Sequence, residues 1–345
     1  MKNKLLIAVL ILSNGLAKAQ TIHLEFPYFA GQTYSFKIFQ GEKSITLKED
    51  TIPKGGKVKL VLPKEYQGYK GMAQWYLTNS KTGGGLDLTI NNEDFSVLCM
   101  DSIPSNESIE YKGSKEIAFE KSNYKLQQEL FEKHDAVLAA LHAYPKADKL
   151  YLVFDKEYKN IVNQYAQYSK NLAANPLYAA RFRQIVNLTL GIGTIITDNE
   201  KAKAIDINNF IVNELDFEAL YTSNHWGGLI NNWVQMQTLV LKEDAKLLQD
   251  ATTILYRLPS DKIYTDFVIN LTKELSKIGK DYILDTLTTE IKNSKRLLNY
   301  DGFLNMYQDL RGKAPDLTII TYSGKEEDII YKKSLASCYK SNRFN

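Results

Sequence analysis

The chain has 345 residues, 44% of them apolar, with 43 Lys and Arg against 40 Asp and Glu for a net charge of +3. That apolar fraction supplies a buried core, and the charge balance gives no electrostatic case for nucleic acid or an anionic membrane as partner. Two cysteines are too few for a disulfide scaffold.

Lys2 and Lys4 precede an apolar run from Leu5 to Leu12, and Ala17-Lys18-Ala19 has the small-x-small form of a cleavage site. The pattern predicts a secretory signal peptide over 1–19, cleaved near Ala19, and a periplasmic or secreted protein. The run is short of the roughly 20 apolar residues that span a bilayer, and no later segment reaches that length, so no integral membrane span is expected. No Cys stands just after the cleavage site, so no lipid anchor is expected. More than 300 residues remain, enough for two domains of about 100–200 residues each.

From about Thr21 to Tyr111 apolar residues recur at every second position. Ile22, Leu24, Phe26 and Tyr28 share one parity, as do Tyr34, Phe36 and Ile38, and then Val58, Leu60 and Leu62. Ala73, Trp75 and Leu77 follow, then Leu86, Leu88 and Ile90. A period of two places such residues on one face of a sheet. Turn signals at Lys54-Gly55-Gly56, Thr82-Gly83-Gly84-Gly85 and Asn91-Asn92-Glu93-Asp94 separate the runs. Short strands with regular turns predict an antiparallel β-sandwich or partial barrel over 20–114.

Beyond Lys115 the period becomes helical. Leu126, Leu130, Val137, Leu138 and Leu141 fit one stripe. Trp226, Leu229, Ile230 and Trp233 fit another, as do Ile263, Phe267, Leu271 and Leu275, and Ile283, Leu287 and Ile291. Helix starts are expected at Asn175-Pro176, Asp198-Asn199-Glu200 and Ser260-Asp261. Breaks near Pro145, Pro176, Gly191-Ile192-Gly193, Ser223 and Pro259 predict an irregular bundle of about seven to nine helices over 115–310. No fixed repeat length is present, which argues against a solenoid. The fold class is therefore α+β.

Three stretches carry a family resemblance. Gly312-Lys313-Ala314-Pro315-Asp316-Leu317 resembles the opening of a thioredoxin-like domain. Asp50-Thr51-Ile52-Pro53 with Gly56-Lys57-Val58-Lys59-Leu60, and Leu88 to Val97, are similar to the N-terminal β-domain of unassigned function that precedes it in exported thioredoxin-family proteins of the Bacteroidetes envelope. The resemblance implies thiol–disulfide exchange through a Cys-x-x-Cys pair at a helix start, where the helix dipole lowers the thiol pKa. Here Cys338-Tyr339-Lys340-Ser341 stands instead, without a resolving Cys and after the polar run Tyr331-Lys332-Lys333-Ser334. Cys338 is the one candidate catalytic thiol, and an exposed thiol in a frayed tail is the plainer reading. Residues 311–345 are accordingly expected to be a truncated thioredoxin-like start with a disordered tail.

The remaining candidates point to architecture. Cys99 lies in the apolar run Phe95 to Met100, and His134 falls one turn from Leu130 and Leu138, so both read as core residues. His225 reads as the start of a helix after the capping sequence Thr222-Ser223-Asn224. His23, His134, His142 and His225 lack metal-ligand spacing, so no metal is expected. The pairs Glu93-Asp94 and Glu326-Glu327-Asp328 read as solvated charge rather than general acid–base pairs. The glycines at 83–85 lack the Lys-Ser/Thr ending of a phosphate loop, so no cofactor is expected. Asn187 and Asn270 match glycosylation sequons inside helical patterns. Tyr66, Tyr69, Trp75 and Tyr76 are a candidate stacking surface for a sugar or peptide. The leading expectation is a non-catalytic exported module that binds a ligand or contacts envelope proteins; the alternatives are a redox protein acting through Cys338 and a carbohydrate- or peptide-binding module.

Overall fold

The computed structural model describes residues 20–299 apart from 82, 83 and 106, together with two short strands at 318–320 and 326–328. Cys338 and most of 311–345 lie outside the described residues, as does the signal peptide expected over 1–19.

Eight strands form two four-stranded sheets. The first has the order β4-β1-β7-β8, from Lys57–Val61, Thr21–Glu25, Phe95–Cys99 and Ile109–Lys112. The second has the order β3-β2-β5-β6, from Lys43–Thr51, Thr33–Gln40, Lys70–Leu77 and Gly85–Asn91. Ladders are antiparallel except β1 with β7, which run parallel with Leu24 opposite Val97. The sheets are antiparallel-rich, as expected; the one parallel ladder arises because the chain crosses to the other sheet before β7 returns beside β1.

The two sheets share one core. Ile22, Leu24 and Phe26 meet Tyr34, Phe36 and Ile38 there, with Trp75, Leu88 and Val97 among the others. The parities read from the sequence hold, with one exception. Tyr28 is 62% exposed, because Pro27 opens a 3-10 turn over Pro27–Phe29 and ends the alternation. β3 is an edge strand with no buried residue, and its Lys and Asp side chains hide it from an alternation search.

Nine helices follow among the described residues. α1 (Lys115–Ala143) and α2 (Lys149–Ala174) form a long hairpin whose outer half, 135–160, buries no residue. α3 (Tyr178–Thr189), α4 (Glu200–Asn213), α5 (Phe217–Tyr221) and α6 (Trp226–Gln235) come next. A π-helical turn (Met236–Leu241) leads to α7 (Asp244–Arg257), α8 (Asp261–Lys277) and α9 (Asp281–Ser294). Asn199 and Ser260 cap α4 and α8 through their side chains, at the positions expected. The stripes on α6, α8 and α9 are buried in one core.

The stripe expected on α1 is corrected. Leu126 is half exposed, and the buried positions are Glu116, Ile117, Gln127, Leu130 and His134. The inner face of α1 is polar: Glu120 pairs with Arg183, Gln127 donates to Asn187 Oδ1 at 2.8 Å, and the Tyr168 hydroxyl lies 2.6 Å from Asn123 Oδ1. An apolar period search reads past such a face.

Sheet and bundle are joined closely. Gly41 N–H donates to the Tyr221 carbonyl at 2.7 Å, and Met72 N–H donates to that of Thr222 at 2.9 Å. Gly41 has φ +61°, and a Cβ there would stand 2.9 Å from the Tyr221 ring, so both backbone and space require glycine. Phe39 and Met72, from β2 and β5, belong to the helical core.

Candidate functional site

The aromatic cluster proposed for stacking is taken apart by the fold. Tyr69 is buried at the joint between sheet and bundle, where its hydroxyl lies 2.8 Å from the Met72 carbonyl and 3.1 Å from that of Phe39. Trp75 lies inside the sandwich, stacked on Phe26 with ring centroids 5.1 Å apart. Tyr76, on the other parity, carries the Lys37 ammonium 4.7 Å over its ring. No common sugar platform forms from these four residues, because the alternation of β5 sends Trp75 and Tyr76 to opposite faces.

Other candidates resolve into structural roles. Cys99 is buried on β7, with Sγ 3.6 Å from the Asp101 carbonyl. Glu93 and Asp94 remain in contact with solvent, as expected, and also accept from the backbone: Glu93 from Lys115 N–H at 3.0 Å and Asp94 from Thr21 N–H at 2.7 Å. The turn before β7 and the α1 start lie side by side, a proximity that local spacing does not encode. His134 is buried, with Nδ1 3.1 Å from Asp135 Oδ1, while its Nε2 has no partner among the described residues. Its burial agrees with the core position read from the sequence. Asn187 and Asn270 are both buried, which removes them as glycan acceptors in the folded chain. The side chains of Glu326-Glu327-Asp328, on the short strand at 326–328, are not among those described. Among the described residues no group of three or more His, Cys, Asp or Glu converges to hold a metal, and no helix is long and apolar enough to cross a membrane.

Among the concave surfaces of the described residues, two with large apolar side chains in their walls were not read from the sequence. The first is an apolar groove of about 490 Å³ between the end of α3, α4, α6 and the π-helical turn. Ile207, Leu229 and Trp233 line it, with Glu200 and Lys203 at one side. Leu190 and Leu239 also line it while remaining 68% and 66% exposed. Large apolar side chains held in water beside an apolar groove mark a contact surface.

A buried polar network braces this groove from behind. Trp233 Nε1 donates to Asn208 Oδ1 at 2.9 Å, and Gln237 Nε2 donates to the same oxygen at 2.7 Å. Asn208 Nδ2 donates to Asp250 Oδ2 at 2.7 Å, and Lys246 pairs with the other Asp250 oxygen. The π-helical turn places Gln237 in this network and ends at Lys242, whose φ is +59°. π-helical segments occur often at functional sites. Nearby, burial lowers the pKa of His225, whose Nδ1 is 3.4 Å from Thr189 Oγ1.

The second surface is a cleft of about 540 Å³ at one end of the β-sandwich, lined by Phe26, Phe29, Trp75, Leu86, Ile103 and Ile109 among others. Gly85 also lines it; a Cβ there would lie 2.8 Å from the Trp75 carbonyl, so glycine lets β6 start close against β5.

The strongly perturbed ionisable groups sit in neither surface. Burial raises Glu120 above the usual carboxylate range even with Arg183 beside it, and burial raises Tyr165 and Tyr178 in the helical layer. No protein-family model, curated protein or solved structure matches this chain in comparison.

Proposed function

We propose that the chain is an exported, non-catalytic module of the thioredoxin-like envelope class, and that it contacts a protein partner through the groove between α3, α4 and α6. The observation that carries this reading is the pair Leu190 and Leu239, exposed at an apolar groove whose floor is held rigid by the Asn208–Asp250 network. A groove of this form suits the apolar face of an amphipathic segment, with Glu200 and Lys203 meeting polar residues at its edge. The order of β-sheets followed by helices agrees with the layout that the resemblance implies. The placement of Glu116 in a helix cap and of Asp250 in a buried polar network supports a non-catalytic role, since both carboxylates are already bonded within the fold.

Photocrosslinking in the expressing cell tests the contact. A benzophenone side chain at position 239 is expected to give one discrete adduct that Leu190→Asp abolishes, while the same group at exposed Tyr256 gives none. Equal labelling at both positions would count against the groove. The redox alternative is tested by disulfide reductase assay of the purified chain beside Cys338→Ser. Turnover that vanishes in that variant would overturn the non-catalytic reading.

A further inference from the structure

We propose that the outer face of the first two turns of α2, at the tip of the α1–α2 hairpin, docks on an anionic lipid surface. The proposal is independent of the groove in the helical layer.

The sequence builds this face with helical spacing. Lys149, Leu152, Val153 and Lys156 stand at i, i+3, i+4 and i+7, which puts them on one side of α2. The opposite side packs on α1: the Phe154 ring lies 5.4 Å from Tyr144, and that of Tyr158 lies 5.4 Å from His134. Leu152 and Val153 are therefore turned away from the hairpin seam, 65% and 59% exposed, with Leu150 beside them at 45%. Farther along the same side stand exposed Asn160, Asn163, Gln164 and Gln167, so the apolar surface is confined to the tip. Adjacent apolar side chains held in water in this way need a covering surface.

Charge says what that surface is. Lys146, Lys149 and Lys156 are exposed and have no ion pair among the described residues. The carboxylates of residues 142–160 are each engaged within the hairpin. Asp148 accepts from Leu150 N–H at 2.8 Å, Asp155 pairs with Lys159 at 2.6 Å, and Glu157 accepts from the Asn160 amide at 3.3 Å. Three uncompensated cations thus surround the exposed leucines and valine, an arrangement that the near-even charge of the whole chain averages away. Contacts between proteins favour Arg and are depleted in Lys, and every Lys or Arg of this tip is Lys. An ammonium is a point charge that needs no matched fork of acceptors, which suits mobile phosphate headgroups. Leu152 and Val153 then enter the acyl boundary beneath them.

The test is flotation of the purified full chain with vesicles of phosphatidylcholine, alone or with about one-third phosphatidylglycerol. Saturable binding to the mixed vesicles is expected, about tenfold or more weaker on phosphatidylcholine alone and in about 1 M salt. Lys149→Gln and Lys156→Gln should each weaken it about fivefold, the scale of one Lys near such a surface, and Leu152→Asp should remove it. These three side chains are exposed, so the melting temperature should hold. Lys59→Gln, at an exposed lysine on β4, and Leu239→Asp, in the groove, should bind like wild type. No binding, equal binding to both vesicles, or binding that survives Leu152→Asp would overturn the proposal. So would an equal loss in Lys59→Gln or Leu239→Asp. A dimer in sedimentation that Leu152→Asp dissolves, with vesicle binding unchanged, would overturn it in favour of a second copy of the chain.

Discussion

The Glu116 carboxylate, in the first turn of α1, caps the N-terminus of α3 by accepting the Ala179 backbone N–H at 2.7 Å. The same carboxylate accepts from Tyr178 N–H at 3.3 Å and from the Asn91 side chain on β6. One buried side chain, 1% exposed, therefore ties a sheet strand to two helices at the positive end of a helix dipole. Glu116→Ala leaves three donors open in a buried place and should cost about 2–4 kcal/mol. Glu116→Gln keeps one acceptor and should cost less. Urea denaturation followed by far-UV circular dichroism measures both, and equal midpoints for wild type and Glu116→Ala would refute the cap.

Tyr69 closes the other joint. Its hydroxyl lies near the carbonyls of Met72 and Phe39 in the sheet and, at 3.3 Å, that of Thr222 in the bundle. Tyr69→Phe keeps the ring and removes the bridging hydroxyl, with an expected loss of about 1–3 kcal/mol. Hydrogen exchange should rise at the Phe39 and Met72 amides in this variant and remain unchanged at Val97, in the other sheet. A uniform rise across the chain would show that the hydroxyl serves overall stability and not the joint.

Much of this architecture was legible in the chain. The sandwich core could be read because β2, β5 and β6 alternate cleanly, and α8 could be read because Ile263, Phe267, Leu271 and Leu275 recur every fourth residue. The α1 seam escaped because Glu116, Glu120, Asn123 and Gln127 occupy its inner face, where polar pairs replace apolar contacts. Trp75 was visible as an aromatic residue, yet its burial depends on Phe26 and Tyr34, which other parts of the chain bring against it. The groove was invisible for a similar reason: Leu190 ends α3 and Leu239 sits in a π-helical turn, so neither belongs to a periodic stripe.

The network behind the groove gives a third expectation. Asn208 links Trp233, Gln237 and Asp250, so Asn208→Ala opens three buried groups together and should cost about 2–4 kcal/mol. Asn208→Asp keeps the acceptor for Trp233 but sets a second carboxylate against Asp250. Thermal melts of the two variants should both fall below wild type. Restoration of stability in Asn208→Asp on acidification would identify repulsion between the two carboxylates, whereas a pH-independent loss would refute it.

Buried tyrosines set the alkaline limit. Burial pushes the Tyr168 hydroxyl up to about 12 from its ordinary 10.0; nearby Arg183 and the hydrogen bond to Asn123 draw it back, while Glu120 adds to the rise. Tyr165 and Tyr178 are raised by the same loss of water. Below pH 10 both folded and unfolded chains keep these protons, and the tyrosines then favour neither state. Between pH 10 and 12 the unfolded chain releases them while the folded chain holds them, so stability must fall as pH rises through that window. Urea midpoints measured from pH 9 to 12 should decline, and Tyr168→Phe should make the decline shallower. Absorbance at 295 nm should show that part of the phenol signal ionises only as the chain unfolds. Ionisation of every tyrosine near pH 10 in the native chain would refute the buried setting of Tyr168.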